Sequence, residues 1–222
     1  MDVITDIFND HNRLVHELRK AISPSLPGQE AQYLAVPPNR ERTNIQEAKA
    51  NANTRRAAVM ALLYPKENIT HIALIKRNEY PGVHSGQISF PGGKEERSDS
   101  DLLQTAYRET VEEIGVPKHY YKVWLPLTEV YIPPSQFLVQ PYVGIAEKPL
   151  QFVPEAREVV EILQVPLQRL YGRNAMEKRK MQFGDFTADV PTFPIDDHVI
   201  WGATAMMISE LMVLIDRILD RG

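Results

Sequence analysis

The chain has 222 residues, of which 43% are hydrophobic, with a formal net charge of −4 and no cysteine. That length suffices for one well-packed domain, while the missing cysteine excludes disulfides, a thiolate metal site and a cysteine nucleophile. The acidic balance offers no basic footprint for bulk nucleic acid. No apolar run spans a bilayer and the N-terminus lacks the order of a signal peptide, so a cytoplasmic protein without a membrane partner is expected.

In chain order, Val3, Ile4, Ile7, Phe8, Leu14, Val15, Leu18 and Ile22 recur at helical spacing and predict an amphipathic helix ending before Pro24. Pro24, Pro27, Pro37 and Pro38 mark the following stretch, to about Asn53, as an irregular arm. Residues 1–54 therefore read as an extension that either covers the core or exchanges across a homodimer, and residues 55–222 as one compact unit. Residues 57–64 and 71–75 read as buried strands joined by a polar turn at Lys66-Glu67-Asn68.

Next comes Pro91-Gly92-Gly93, where paired glycines permit positive φ and close approach of the backbone to a ligand, so that a main-chain carbonyl there can join a metal's shell. Ser98, Asp99 and Ser100 are candidate N-caps for the helix that follows, and Asp99 is an alternative metal contact. Leu102, Leu103, Ala106, Val111 and Ile114 form its apolar stripe. Glu109, Glu112 and Glu113 share a face and repel one another. Arg108, four residues before Glu112, offsets only part of that charge. A hard cation with oxygen ligands suits the remainder, and Mg²⁺ keeps positions open for water and a substrate phosphate.

Beyond the helix, residues 121–125 and 139–146 read as strands and residues 130–136 as a loop holding Pro133 and Pro134. Residues 158–167 read as a strand entering a short helix, and residues 203–219 as a helix packed on the sheet. Asp196, Asp197 and His198 read as a turn, since neighbours on an extended chain face opposite ways. Tyr131, Phe137 and Tyr142 read as core, with adenine stacking as the alternative. Helices before and after a mixed sheet give a layered α/β architecture.

Residues 93–116 resemble the box of the Nudix hydrolases, G-x5-E-x7-R-E-U-x-E-E-x-G-U, with U aliphatic. Gly93, Arg108-Glu109, Glu112-Glu113, Gly115 and Val116 match it, and Asp99 stands where the box has its first glutamate. The gap from Asp99 to Arg108 is one residue longer than in the box, and Thr110 replaces an aliphatic residue. Residues 73–93 resemble the signature before the box in coenzyme A pyrophosphatases: Arg77, Gly86, Phe90, Pro91, Gly92 and Gly93 are in register. Asn78 and Gly82 depart from it, Gly82 standing in place of an arginine.

The resemblance implies an α/β/α sandwich with an N-terminal helical extension and a C-terminal helix. It implies Mg²⁺ or Mn²⁺ on Glu109, Glu112 and Glu113, with the Gly93 carbonyl as a further metal ligand. Arg108 would orient a carboxylate, and Glu112 would take the proton from water, with Glu158 and Glu161 as the external candidates. Arg77, His84 and Gly86 are the candidate substrate contacts. The implied reaction is cleavage of coenzyme A or a derivative to 3′,5′-ADP and 4′-phosphopantetheine. Gly82 keeps ADP-ribose and NADH open as substrates, and a non-catalytic nucleotide sensor is the reading of another class.

Overall fold

A computed structural model describes residues 6–38, 40–78, 86–172 and 174–220. In chain order its elements are helices α1 (His11–Lys20), α2 (Gln29–Gln32) and α3 (Ile45–Ala50), then strands β1 (Arg55–Lys66), β2 (Ile69–Arg77), β3 (Ile88–Ser89) and β4 (Gly92–Lys94). Helix α4 (Leu102–Ile114) follows, then β5 (Lys122–Pro126), β6 (Val130–Ile132), β7 (Phe137–Ile145), β8 (Val159–Pro166), β9 (Glu177–Phe183), β10 (Phe186–Ile195) and β11 (His198–Ile200). Helix α5 (Gly202–Leu219) closes the chain.

Strand β1 is the axis of a mixed sheet. It runs parallel to β7, from the Arg55–Phe137 pair to the Leu63–Ile145 pair, and antiparallel to β2 and β4 on its other side. The β1–β2 hairpin closes on Glu67 and Asn68, both at positive φ (52° and 65°), the combination a two-residue turn needs to match strand twist. Strand β8 flanks β2, β3 joins the far end of β2, and β5 and β6 lie along β7.

The near-continuous burial of β1 follows from its having a layer on each face. Ala57, Val59, Ala61 and Leu63 pack with Leu14 and Leu18 of α1 and with Met207 and Leu211 of α5. The alternate residues Ala58, Met60, Leu62 and Tyr64 pack with Leu102, Ala106 and Ile114 of α4. This period of two sorts one strand into two cores and makes the molecule a three-layered α/β/α sandwich.

The N-terminal segment departs from the predicted single helix. Asp10 caps α1 by accepting from the Arg13 amide at 3.1 Å, so Ile7 and Phe8 enter the core from outside that helix, and Ile22 is 89% exposed beyond its end. Val3 and Ile4 lie outside the described residues. His11, buried, ties α1 to the sheet through Thr70 Oγ1 at 3.1 Å and the Ala146 carbonyl at 2.8 Å.

The arm is also more ordered than its prolines suggest, containing α2 and α3. Its anchor is Glu210 of α5, whose buried carboxylate accepts from the Gly28 amide, from Gln32 Nε2 at 2.8 Å and from Thr128 Oγ1 at 2.6 Å. The extension thus covers the core of its own chain.

Two further differences concern strands. Val130–Ile132, read as loop, is β6, and only Pro133–Ser135 turns. Strands β9, β10 and β11 form a second sheet that apolar periodicity does not announce, because the residues of β9 are exposed or half-buried along its whole length. The turn at Asp196-Asp197 is as expected: Ile195 pairs with His198 and Asp196 has φ 51°.

Candidate active site

Helix α4 starts at Asp101, whose carboxylate accepts from the Gln104 amide at 2.9 Å; none of Ser98, Asp99 and Ser100 is the cap. It ends at Gly115 in the left-handed conformation, φ 70°. The buried face is Leu102, Thr105, Ala106, Thr110, Glu113 and Ile114, whereas Val111 is 43% exposed. Thr110 can replace the aliphatic residue because its hydroxyl donates to the Ala106 carbonyl at 2.6 Å within the helix.

Asp99 is freed from capping to bind Arg108. Its Oδ1 accepts from Nε at 3.0 Å and its Oδ2 from Nη2 at 2.9 Å. Oδ2 also accepts from Thr105 Oγ1 and from the Glu96 amide, each at 2.9 Å. The guanidinium then donates Nη1 to Glu109 and to Glu112 at 2.9 Å and Nη2 to the Lys94 carbonyl at 3.0 Å. Arg108 is a clamp between the acidic loop, the glycine strand and two carboxylates of its own helix. Asp99 holds the clamp, its carboxyl kept well below the usual range chiefly by the Arg108 hydrogen bonds.

Glu113 faces the other way. It is fully buried, with Oε2 accepting from the Gly92 amide at 2.7 Å. Its Oε1 lies 3.2 Å from Arg77 Nη1, a charge contact without hydrogen-bond alignment, and is otherwise unpartnered. Burial pushes the carboxyl up to about 7, against the pull of Arg77 and the Gly92 amide; the charges of Glu109 and Glu158 push it further up. Glu109 is also raised by burial, which outweighs Arg108, and Glu158 again adds to the rise.

The glycines have separate duties. A Cβ on Gly93 would sit 2.4 Å from Glu109 Oε1, so the missing side chain is the space that carboxylate occupies. Gly92, at φ 153°, would meet the Ala58 carbonyl at 2.3 Å. Both line a cavity of about 1050 Å³, as do Arg77 of β2, Tyr131 of β6 and Arg40 of the arm.

Of the expected site residues, Arg77, Gly93, Arg108, Glu109 and Glu113 come together. Glu112 is on the same helix but its side chain is 55% exposed. Gly86, at φ 67°, shapes the turn before β3, its amide donating to the Asn78 carbonyl. His84 and Gly82 lie outside the described residues.

The two external candidates separate. Glu158 acts electrostatically on both buried glutamates, and Glu161 pairs instead with His198 at 3.1 Å. The loop before Glu158 is stitched to the end of α4 by main-chain bonds from Val153 to Ile114 and from Glu155 to Glu113. Arg40 carries no sequence signal, lying in a proline-marked arm outside both motifs.

Among the described residues no three acidic or histidine side chains form a ready-made metal cage. The donors nonetheless fit a hard cation. They comprise a buried carboxylate oxygen on Glu113 that accepts no hydrogen bond, a second, largely buried carboxylate on Glu109, and further negative charge from Glu158.

The NUDIX domain model matches residues 54–183. The chain belongs to the Nudix family. Among curated Nudix relatives, human "Mitochondrial coenzyme A diphosphatase NUDT8" is 31% identical over 163 residues, covering 72% of this chain and 69% of that protein. "Uncharacterized Nudix hydrolase NudL" of Yersinia enterocolitica is 30% identical over 169 residues, covering 75% and 84%. The Nudix hydrolase RenU of M. Smegmatis shares the fold, with a TM-score of 0.52 at 19% identity over 82% of this chain and 94% of that one.

The protein is thus a Nudix pyrophosphohydrolase that resembles the coenzyme A pyrophosphatases, and Nudix hydrolases generally need divalent metal ions. Among its described helices none is long and apolar enough to cross a membrane.

Proposed function

We propose that this Nudix hydrolase cleaves the diphosphate of coenzyme A or a derivative to 3′,5′-ADP and 4′-phosphopantetheine. One observation carries the reading: Arg77 of the coenzyme A signature touches Glu113 of the Nudix box at 3.2 Å and donates to the Gly92 carbonyl at 3.3 Å. The two motifs therefore meet at one point, on the wall of a cavity of about 1050 Å³, which is ample for a nucleotide with a long thiol arm. The coenzyme A diphosphatase named among the relatives supports the same substrate class.

In this reading Glu109, Glu112, Glu113 and the Gly93 carbonyl hold Mg²⁺ or Mn²⁺. When bound, such an ion neutralises phosphate oxygens and lowers the pKa of water. Arg108, fixed by Asp99, orients Glu109 and Glu112. Glu112, the most exposed of the three acids, takes the proton from the attacking water. Arg77 is released from Glu113 to a phosphate oxygen of the substrate, a partner its planar fork suits better.

The test incubates the protein with coenzyme A, acyl-coenzyme A, ADP-ribose, NADH and diadenosine polyphosphates, with Mg²⁺ or Mn²⁺, and identifies the products. Release of 3′,5′-ADP and 4′-phosphopantetheine as the preferred reaction is expected. Preference for ADP-ribose or NADH, the substrates Gly82 leaves open, would overturn the coenzyme A assignment and keep the reaction class.

A further inference from the structure

Arg40 lies in the arm between α2 and α3, and its side chain lines the cavity. Nη1 points at the Met206 sulfur at 3.1 Å, Nη2 donates to the Tyr131 carbonyl, and Nε is buried without a hydrogen-bond partner. Among the described residues no carboxylate forms an ion pair with it, whereas Arg77 and Arg108 each have one. One N–H of this partly buried guanidinium donates to a carbonyl, one faces only a thioether and Nε donates to nothing, so its desolvation is compensated only in part. Each Nη keeps one further hydrogen, and these are the donors an anion in the cavity can use.

The register of the sheet says where that anion sits relative to the chemistry. Val130 of β6 is opposite Val139 of β7, Val139 is opposite Ala57 of β1, and Ala57 is opposite Lys94 of β4. With strands about 4.8 Å apart, β6 and β4 are separated by about 14 Å. Tyr131, Val139, Ala57 and Gly93 all line the cavity, which therefore runs across the strands from the glycine strand to Arg40. A span of that order fits a nucleotide with its diphosphate at Gly93, a second phosphate on its ribose, and the contact distances at either end.

We propose that Arg40 is the receptor for a phosphate monoester on the substrate's ribose, separate from the diphosphate that is cleaved, and so selects nucleotides that bear one. Naming that group the 3′-phosphate rests on the coenzyme A reading. The receptor is supplied by the N-terminal arm, which gives the extension a part in choosing the substrate.

The test uses the full chain and two variants. Arg40→Met keeps an apolar stem against Met206 and removes the charge; Arg40→Lys keeps the charge and loses the fork. Two ratios are measured: kcat/KM for coenzyme A over dephospho-coenzyme A, and affinity for 3′,5′-ADP over 5′-AMP by calorimetry, with melting curves as the check on folding. Wild type should favour the phosphorylated member of each pair by about ten- to a hundred-fold, the scale of a hydrogen-bonded ion pair. Arg40→Met should bring both ratios close to one, and Arg40→Lys should fall between.

A wild type indifferent to the second phosphate overturns the proposal, as does an Arg40→Met protein that discriminates as wild type does. If Arg40→Met does not fold, Arg40→Lys decides on the same criterion. If ADP-ribose is hydrolysed and coenzyme A is not, the coenzyme A assignment fails by itself, and the 3′,5′-ADP to 5′-AMP ratio still decides the role of Arg40.

Discussion

Asp99 holds Arg108 through both carboxylate oxygens, at 3.0 and 2.9 Å, and never reaches toward the glutamates that Arg108 organises. Under the proposed function the first acid of the box acts as a positioning residue. Asp99→Asn should lower kcat by about ten- to a hundred-fold, the usual cost of losing a group that orients a metal ligand. Its melting temperature should fall by about 2–6 °C. The folded carboxyl is held below its ordinary value, so the stabilisation is complete above about pH 4 and lost on acidification. The gap between wild-type and Asp99→Asn melting temperatures should therefore narrow as the pH is taken from about 4 down to about 2; a constant gap would count against the pair.

Glu113 behaves in the opposite sense. Burial raises its carboxyl to about 7, so the folded chain binds that proton more tightly than the unfolded chain does. In metal-free protein the stability this confers is present below the ordinary glutamate range, about pH 4.3, and is lost as pH rises through about 7. Thermal melts in chelator between pH 5 and 8 should show wild type weakening across that window and Glu113→Gln weakening less. Metal affinity of the wild type should climb over the same range, since the cation competes with the proton.

Adjacent glycines should fail differently. Gly93→Ala meets only the tip of Glu109, a flexible group, and should cost about a hundred-fold or more in kcat with little change in melting temperature. Gly92→Ala collides with the main chain at Ala58 and requires a left-handed φ, so it should destabilise the fold by about 2 kcal/mol or more. Measuring both properties on both variants checks the division. Equal losses of stability would refute it.

Three glutamates outside the buried pair can be ranked. Glu112→Gln should reduce kcat by about 10²–10⁴-fold, the range of general base catalysis. Glu158→Gln should act more weakly, through the field it places on Glu109 and Glu113. Glu161→Gln, whose side chain pairs with His198, should match wild type. Steady-state kinetics at saturating metal distinguishes the three, and a larger loss in Glu158→Gln than in Glu112→Gln would transfer the base to the loop.

How far the molecule was legible depended on how local its signals are. Arg108, Glu109 and Glu113 are readable because one helix and one preceding turn carry them in a few consecutive residues. The stripe of α4 was partly misread for a related reason: Val111 looks apolar but faces solvent, and Thr105 and Thr110 look polar but bury their hydroxyls in bonds to Asp99 and Ala106. Strand β9 was invisible because Glu177, Lys178, Arg179 and Lys180 present no apolar face in sequence. Arg40 was invisible because what sets it apart is the cavity it lines and the lack of a carboxylate beside it, both properties of three-dimensional surroundings.

The stitches from Val153 to Ile114 and from Glu155 to Glu113 use only amide hydrogens and carbonyl oxygens. Phe152, edge-on to Tyr64, adds a side-chain contact to that attachment, and the loop's length is what keeps Glu158 in range of the buried acids. A single inserted or deleted residue in this stretch would move the charge away. Across the family, spacing in this loop should be guarded more strictly than identity.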